Sequence, residues 1–286
     1  MNKNIDWDSI YNVYSSQITA NTTEKEVSEL IGEMTLELKD VHVRFSSPFH
    51  SYKYSGAGLY DENPPYNATG YIENISINSD YIIFGEIKNR NYAYLRIKNF
   101  TGNSSEYSSA LQKLEDLGNK EGLVIDIRSN AGGSESIAWE FAGRLSNVDR
   151  LYRYSRYRNG PEWNDFTEWY TRAFESKTSN AFNKDIILLT NRYVYSSAEL
   201  FALMMKTIPN VTSVGDTTFG ATANPEDHYY GNNDWVCRIS RWQIKTLDSY
   251  LLDDHGIPPD VYIKMTESSI EEGKDLILEK AIELLD

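Results

Sequence analysis

Several shortages in the sequence exclude whole classes of function. It holds one cysteine in 286 residues, Cys237, which excludes an internal disulfide framework and any zinc site built on cysteines. Cys237 lies in the strand-like run Trp235-Val236-Cys237-Arg238-Ile239, where a small buried hydrophobe is expected rather than a nucleophile. No stretch approaches 18 consecutive apolar residues, so no membrane-spanning helix is expected. The opening segment, residues 1–14, carries no apolar core of the kind a signal peptide needs, and none is expected within this chain. Basic residues are in deficit, 28 Lys and Arg against 42 Asp and Glu, for a formal charge of −14. Nucleic acid and anionic membrane surfaces would both be repelled and are excluded as principal partners. Neither Gly-x-Gly-x-x-Gly nor Gly-x-x-x-x-Gly-Lys-Ser/Thr occurs, so no nucleotide-binding fingerprint is present.

The composition, 40% hydrophobic with 13% aromatic residues, is that of a globular chain. The 21 Tyr and 6 Trp suit a surface that grips peptides or sugars, and suit a well-packed core equally. Residues 1–45 read as an N-terminal helical region. Ile5, Trp7, Ile10, Tyr11 and Tyr14 recur at helical spacing. A capping signature at Thr23-Glu24-Lys25-Glu26 then opens a second helix, whose apolar positions continue to Leu38. Residues 46–286 read as an α/β core. Its strands are expected at 92–97, 123–127, 185–190 and 211–214, and its helices at about 105–118, 134–145 and 198–206, an alternation that indicates largely parallel strands. The stretch 146–184, rich in Tyr, Trp and Arg, reads as a lid-like insertion.

Ser196 follows a buried strand and precedes a helix, which would expose its hydroxyl beside free helix N–H groups. The same four residues, Ser196-x-x-Glu199, match a capping box, in which the serine would do nothing beyond capping. Both readings stand on local sequence. Asn130-Ala131-Gly132-Gly133, between a strand and a helix, would let backbone N–H groups approach a ligand, or form a plain tight turn. Four histidines are available as a base: His42, His50, His228 and His255. His42 follows a helix and would either act as general base or simply complement the helix dipole. His255 lies in a loop with carboxylate neighbours.

Six segments in order resemble the C-terminal processing, or tail-specific, protease family, and the resemblance covers nearly the whole chain. Leu38-Lys39-Asp40-Val41-His42-Val43 is similar to that family's Leu-x-Asp-x-His-Thr. Tyr94-Leu95-Arg96-Ile97 is similar to its Tyr-Leu-Arg-Ile strand, and the stretch 123–133 to its Asp-Leu-Arg-x-Asn-x-Gly-Gly strand and loop. Tyr195 to Glu199 is similar to its nucleophile segment, Gly215 to Gly220 to its Gly-Glu-x-Thr-x-Gly, and Gly256-Ile257-Pro258-Pro259-Asp260 to its Gly-Ile-x-Pro-Asp. The lysine-dependent branch of the family carries its lysine just after the Phe-Gly pair. Here Phe219-Gly220 is followed by Ala221-Thr222-Ala223, so a Ser–Lys dyad at that position is excluded. The pattern instead resembles the tricorn and retinoid-binding-protein-like branch.

That resemblance implies Ser196 as nucleophile, His42 as base and Asp253 as orienting acid, with Asp254 a close competitor. It implies an oxyanion hole from the N–H groups of Gly132 or Gly133 and of Ser197. It further implies a ClpP/crotonase-like core of stacked β-β-α units without a PDZ module, a peptide or protein substrate and a place in the cell envelope. No metal or cofactor is expected. A non-catalytic protein binding peptides or apolar ligands on the same fold is the alternative.

Overall fold

In the computed structural model of the chain, residues 5–55, 68–162, 164–222, 224–231 and 234–286 are described. By their contacts they fall into two units. One gathers Met1–Leu59, Arg156–Glu168 and Ala223–Gln243; the other gathers Tyr60–Ser155, Trp169–Thr222 and Ile244–Asp286.

The first unit opens on two helices, α1 (Trp7–Ser15) and α2 (Glu24–Leu36). Thr23 starts α2 with the predicted capping box: its hydroxyl accepts from the Glu26 N–H, and the Glu26 carboxylate accepts from the Thr23 N–H. The apolar spacing predicts a helix reaching Leu38, but α2 stops at Leu36. Lys39 turns left-handed at φ 49°, and the Asp40 carbonyl then accepts from the Val43 N–H, closing a turn around His42.

Two short strands follow, β1 (Arg44–Ser46) and β2 (Ser51–Lys53). The chain continues through β3 (Ile72–Asn78), β4 (Ile82–Ile87), β5 (Tyr92–Ile97), α3 (Ser104–Glu115), β6 (Gly122–Asp126), α4 (Glu135–Arg144), β7 (Arg150–Tyr157) and β8 (Tyr170–Phe174). Next come β9 (Ile186–Thr190), α5 (Ser197–Lys206) and β10 (Val211–Gly215). The last elements are β11 (Pro225–Tyr230), β12 (Trp235–Ser240), β13 (Trp242–Lys245), β14 (Val261–Tyr262), α6 (Glu267–Glu271) and α7 (Leu276–Leu285).

In the first unit β11, β12, β1 and β2 form an antiparallel sheet in that order. Cys237 lies in β12 opposite Phe45 and is half-buried; burial pushes its thiol up, which favours the unreactive neutral form.

The second unit is built on a seven-stranded sheet in the order β14-β10-β9-β6-β5-β4-β3. Its strands from β14 to β5 are parallel, and β4 and β3 are antiparallel at one edge. Every residue of β6 and β9 is buried, which is why these strands read as unbroken apolar runs rather than alternating ones. On one face Tyr94, Val124, Leu189 and Val214 pack with Ile277 and Leu278 of α7. Leu95, Ile125 and Leu188 point to the opposite face and are equally buried. Phe100, after β5, stacks on Phe141 of α4 and Phe201 of α5, and Phe141 also meets Tyr107 of α3.

The α/β core anticipated from the sequence is therefore present, with β5, β6, β9, β10, α3, α4 and α5 in the expected places. Residues 146–184 contribute β7 and β8, an antiparallel pair with Leu151 opposite Ala173. No helix among the described residues is long and apolar enough to cross a membrane.

Candidate active site

Parallel β6 and β9 end side by side, and the loops leaving their carboxyl ends carry both halves of the expected acyl-transfer site. Ser196 sits immediately before α5, with backbone angles φ 60° and ψ −134°. A β-carbon-bearing residue occupies that region only under strain, and such strain is a mark of functional turns where a nucleophile must stand clear of the backbone. The capping-box reading does not hold. The Ser196 side chain makes no cap hydrogen bond, and its N–H donates to the Ala221 carbonyl at 2.7 Å instead of to Glu199.

The Gly132-Gly133 loop reaches Ser196 directly. A Cβ at Gly132 would lie 2.7 Å from Ser196 Cβ and 2.8 Å from the Ser197 nitrogen, so only glycine fits, and its φ of 87° asks for glycine as well. Gly133, at φ 134°, presses on the Phe100 carbonyl, which a Cβ would meet at 2.3 Å. Ser197 locks the two loops together, its hydroxyl donating to the Gly133 carbonyl at 2.7 Å. The Gly132 N–H donates to the Asn130 side chain at 2.8 Å. Fully buried Asn130 also donates to the Ile97 carbonyl, and its own carbonyl accepts from the Tyr195 N–H. One asparagine thus ties the end of β5, the glycine loop and the serine turn together.

Glu199 braces the other side. It is buried, and its carboxylate accepts from the Thr218 hydroxyl and from the N–H groups of Gly220 and Ala221. Burial pushes this carboxyl up to about 7, against the three donors that pull it down. Thr218 in turn accepts from the Ile257 N–H, and the Gly220 carbonyl accepts from the Asp254 N–H. Asp253 therefore lies on a loop laced to the segment that backs Ser196, and its carboxylate accepts from the Thr222 hydroxyl at 3.0 Å. Lys206 stands at the far end of α5, where it pairs with Asp260 at 2.6 Å.

His42 belongs to the first unit. Asp40, two residues before it, is buried at 5% exposure. One carboxylate oxygen accepts from the His42 N–H at 2.9 Å and lies 3.7 Å from His42 Nδ1; the other accepts from the Ser240 hydroxyl at 2.7 Å. Burial alone would raise the Asp40 carboxyl, but the His42 and Ser240 contacts outweigh it and hold it below the usual carboxylate value. His50 meets Glu29, and the His255 ring meets the Asp253 carbonyl.

The structure thus brings Ser196, Ser197, Gly132 and Gly133 together in the second unit and gives His42 a carboxylate neighbour in the first. Sequence reasoning missed Asn130, Glu199 as a brace, and Asp40. Glu199 did leave a signal, as a lone charge in the otherwise apolar run Ala198 to Met205, since a helix buried all round must pair any charge it carries.

Residues 91–263 match the sequence profile of peptidase family S41. The carboxy-terminal processing protease CtpA of Bacillus subtilis (strain 168) is 24% identical over 199 residues, which cover 68% of this chain and 40% of that protein. The chain therefore spans less than half the length of that relative. A solved structure from Parabacteroides merdae ATCC 43184 superposes with a TM-score of 0.86 at 26% identity, over 99% of this chain and 90% of the other. The tricorn protease superposes with a TM-score of 0.61 at 16% identity, over 97% of this chain and 34% of that one, a likeness of fold alone.

Proposed function

Because the chain belongs to peptidase family S41, we propose that it is a serine peptidase cleaving peptide bonds through an acyl-enzyme on Ser196, with His42 as general base. The observation that carries this reading is the left-handed backbone of Ser196 at the head of α5, its hydroxyl unused by the helix and glycine packed against its Cβ. His42 takes the Ser196 hydroxyl proton as Oγ attacks the substrate carbonyl. The oxyanion so formed is held by the N–H of Ser197 and by that of Gly133, while Gly132, whose N–H already serves Asn130, leaves the room the substrate needs. Collapse expels the amine, which takes the proton back from His42. Water then attacks the ester by the same route, and Ser196 leaves with its proton restored. Asp253 is the acid that the family resemblance supplies to this set. The substrate is a peptide or protein, the 146–184 insertion serves as its lid, and the working place is the cell envelope.

A fluorophosphonate probe should label the wild-type chain and fail to label Ser196→Ala. An unlabelled wild type sinks the peptidase reading. Given labelling, His42→Ala is expected to lower kcat by roughly 10²–10⁴-fold, the usual share of a general base. Lys206→Ala should leave turnover intact, since the lysine is engaged with Asp260.

One observation favours a second reading, a binding protein on the same fold. An apolar groove of about 530 Å³ in the first unit is lined by Trp7, Tyr11, Met34, Phe45 and Trp235, among others. On that reading the chain binds an apolar peptide or ligand and the probe leaves Ser196 unmodified.

A further inference from the structure

We propose that Asp40 is the positioning residue for His42, accepting from its Nδ1–H and so leaving Nε2 as the nitrogen that takes the Ser196 proton. This rests on the reading of His42 as general base and deepens it by naming the carboxylate that orients the ring.

Asp40 is built for this from three sides. The turn after α2 places it two residues before His42, and its Oδ1 accepts from the His42 N–H at 2.9 Å, the arrangement in which aspartate mimics a backbone turn. That bond fixes the carboxylate relative to the residue it serves. Ser240, on β12, donates to Oδ2 at 2.7 Å and fixes the other oxygen. The Asp40 carbonyl accepts from Val43, so the whole segment 40–43 is closed into one turn. With both oxygens pinned, Oδ1 faces Nδ1 at 3.7 Å. A small ring rotation closes that distance, as catalytic hydrogen bonds commonly tighten only when substrate is bound.

A buried, ionised carboxylate beside Nδ1 favours the tautomer with the proton on Nδ1. It makes Nε2 the nitrogen that accepts a proton, which is the form a general base needs. Asp253 accepts from the Thr222 hydroxyl on the segment behind Ser196, and is the rival for the orienting role.

Asp40→Asn keeps the shape and an oxygen to accept the His42 N–H, but removes the negative charge beside Nδ1 that favours the Nδ1–H tautomer. The expected result is a fall in kcat of up to about 10⁴-fold, the loss when the orienting carboxylate of a serine–histidine pair is neutralised, with KM changed less than about threefold because no substrate contact is lost. In ¹⁵N-histidine spectra the His42 population should shift from the Nδ1–H toward the Nε2–H form. A kcat equal to wild type with an unchanged tautomer overturns the proposal.

Ser240→Ala is the milder companion should Asp40→Asn not fold. It frees one oxygen without removing the charge, and is expected to lower kcat by about tenfold or more, the value of one hydrogen bond to a charged group, while raising the Nε2–H share. No change in either overturns the proposal equally. Asp253→Asn is the contrast, expected to leave the His42 tautomer as in wild type; a tautomer change there moves the orienting role to Asp253. Failure of the base reading shows separately, as His42→Ala with full turnover, and the tautomer measurement stands whether or not a substrate is in hand.

Discussion

Glu199 has no exposed surface and lies in the first turn of α5, where three donors from residues 218–221 converge on its carboxylate. Those donors make it the post on which the Ala221 carbonyl, and with it the Ser196 N–H, is hung. Burial nevertheless lifts the acid to about 7 in the folded chain, from an ordinary 4.5. An acid whose folded value stands above its unfolded one keeps its proton longer in the fold. Its contribution to stability is therefore fully present below about 4.5 and is lost as pH rises through about 7. The difference of 2.5 units, 7 less 4.5, amounts to about 3 kcal/mol. Thermal unfolding between pH 5 and pH 8 should show wild type losing roughly 6–12 °C more than Glu199→Gln, which cannot titrate. Parallel curves for the two proteins would mean that Glu199 stays charged throughout. Asp40 makes the opposite case: two oriented partners hold its carboxyl low in spite of burial. Neither behaviour is written in the residue type; both come from which donors the fold aims at the oxygens.

The turn before α5 and the glycine loop before α4 act as one device. Ser197 bonds Gly133, Asn130 bonds Gly132, and Gly132 fits under Ser196 with no room for a methyl group. Gly132→Ala must therefore push the Ser196 turn away, besides bearing the strain of φ 87°, about 1–2 kcal/mol for a residue with a Cβ. The expected outcome is a fluorophosphonate labelling rate at least about 100-fold lower, the order of loss from a displacement near 1 Å at a nucleophile, in a protein that still folds by circular dichroism. Labelling at the wild-type rate would show that Gly132 does not shape the site.

These elements were legible in the sequence to unequal degrees. β6 and β9 announced themselves as apolar runs because both their faces are covered, and α5 as an apolar helix for the same reason. The conformation of Ser196 was not legible. Ser-x-x-Glu is the spelling of a capping box, and only the donors at 218–221, supplied by a distant loop, draw Glu199 away from that role. α2 ends two residues short of its apolar pattern, because apolar spacing carries no information on the left-handed turn at Lys39 that presents Asp40 and His42.

Across the whole chain, what escapes a linear reading is the return of distant segments. Residues 156–168 and 223–243 group by contact with the N-terminal 59, and nothing in their composition marks them for it. Arg128 is the same problem in one side chain. It follows β6 in a stretch recognisable as strand and loop, yet one of its two carboxylate partners, Asp275, lies 147 residues on. Fully engaged, Arg128 reaches Asp126 at 2.7 Å and Asp275 at 2.8 Å. Asp126 also accepts from Tyr94 of β5, and Asp275 caps α7 through the Leu278 N–H. Burial would raise the Asp126 carboxyl, but Arg128 outweighs it and holds the group below its usual value. One guanidinium therefore joins the central strands to the C-terminal helix that covers them. Arg128→Met fills the space but strands two buried carboxylates, a loss of about 3–5 kcal/mol, whereas replacing all the charges together often costs little. Differential scanning calorimetry should place the single variant about 6–20 °C below wild type. The triple variant carrying Asp126→Asn and Asp275→Asn as well should recover a good part of that difference. A single variant melting with wild type would mean that packing of Ile277 and Leu278, and not the ion pair, holds α7 in place.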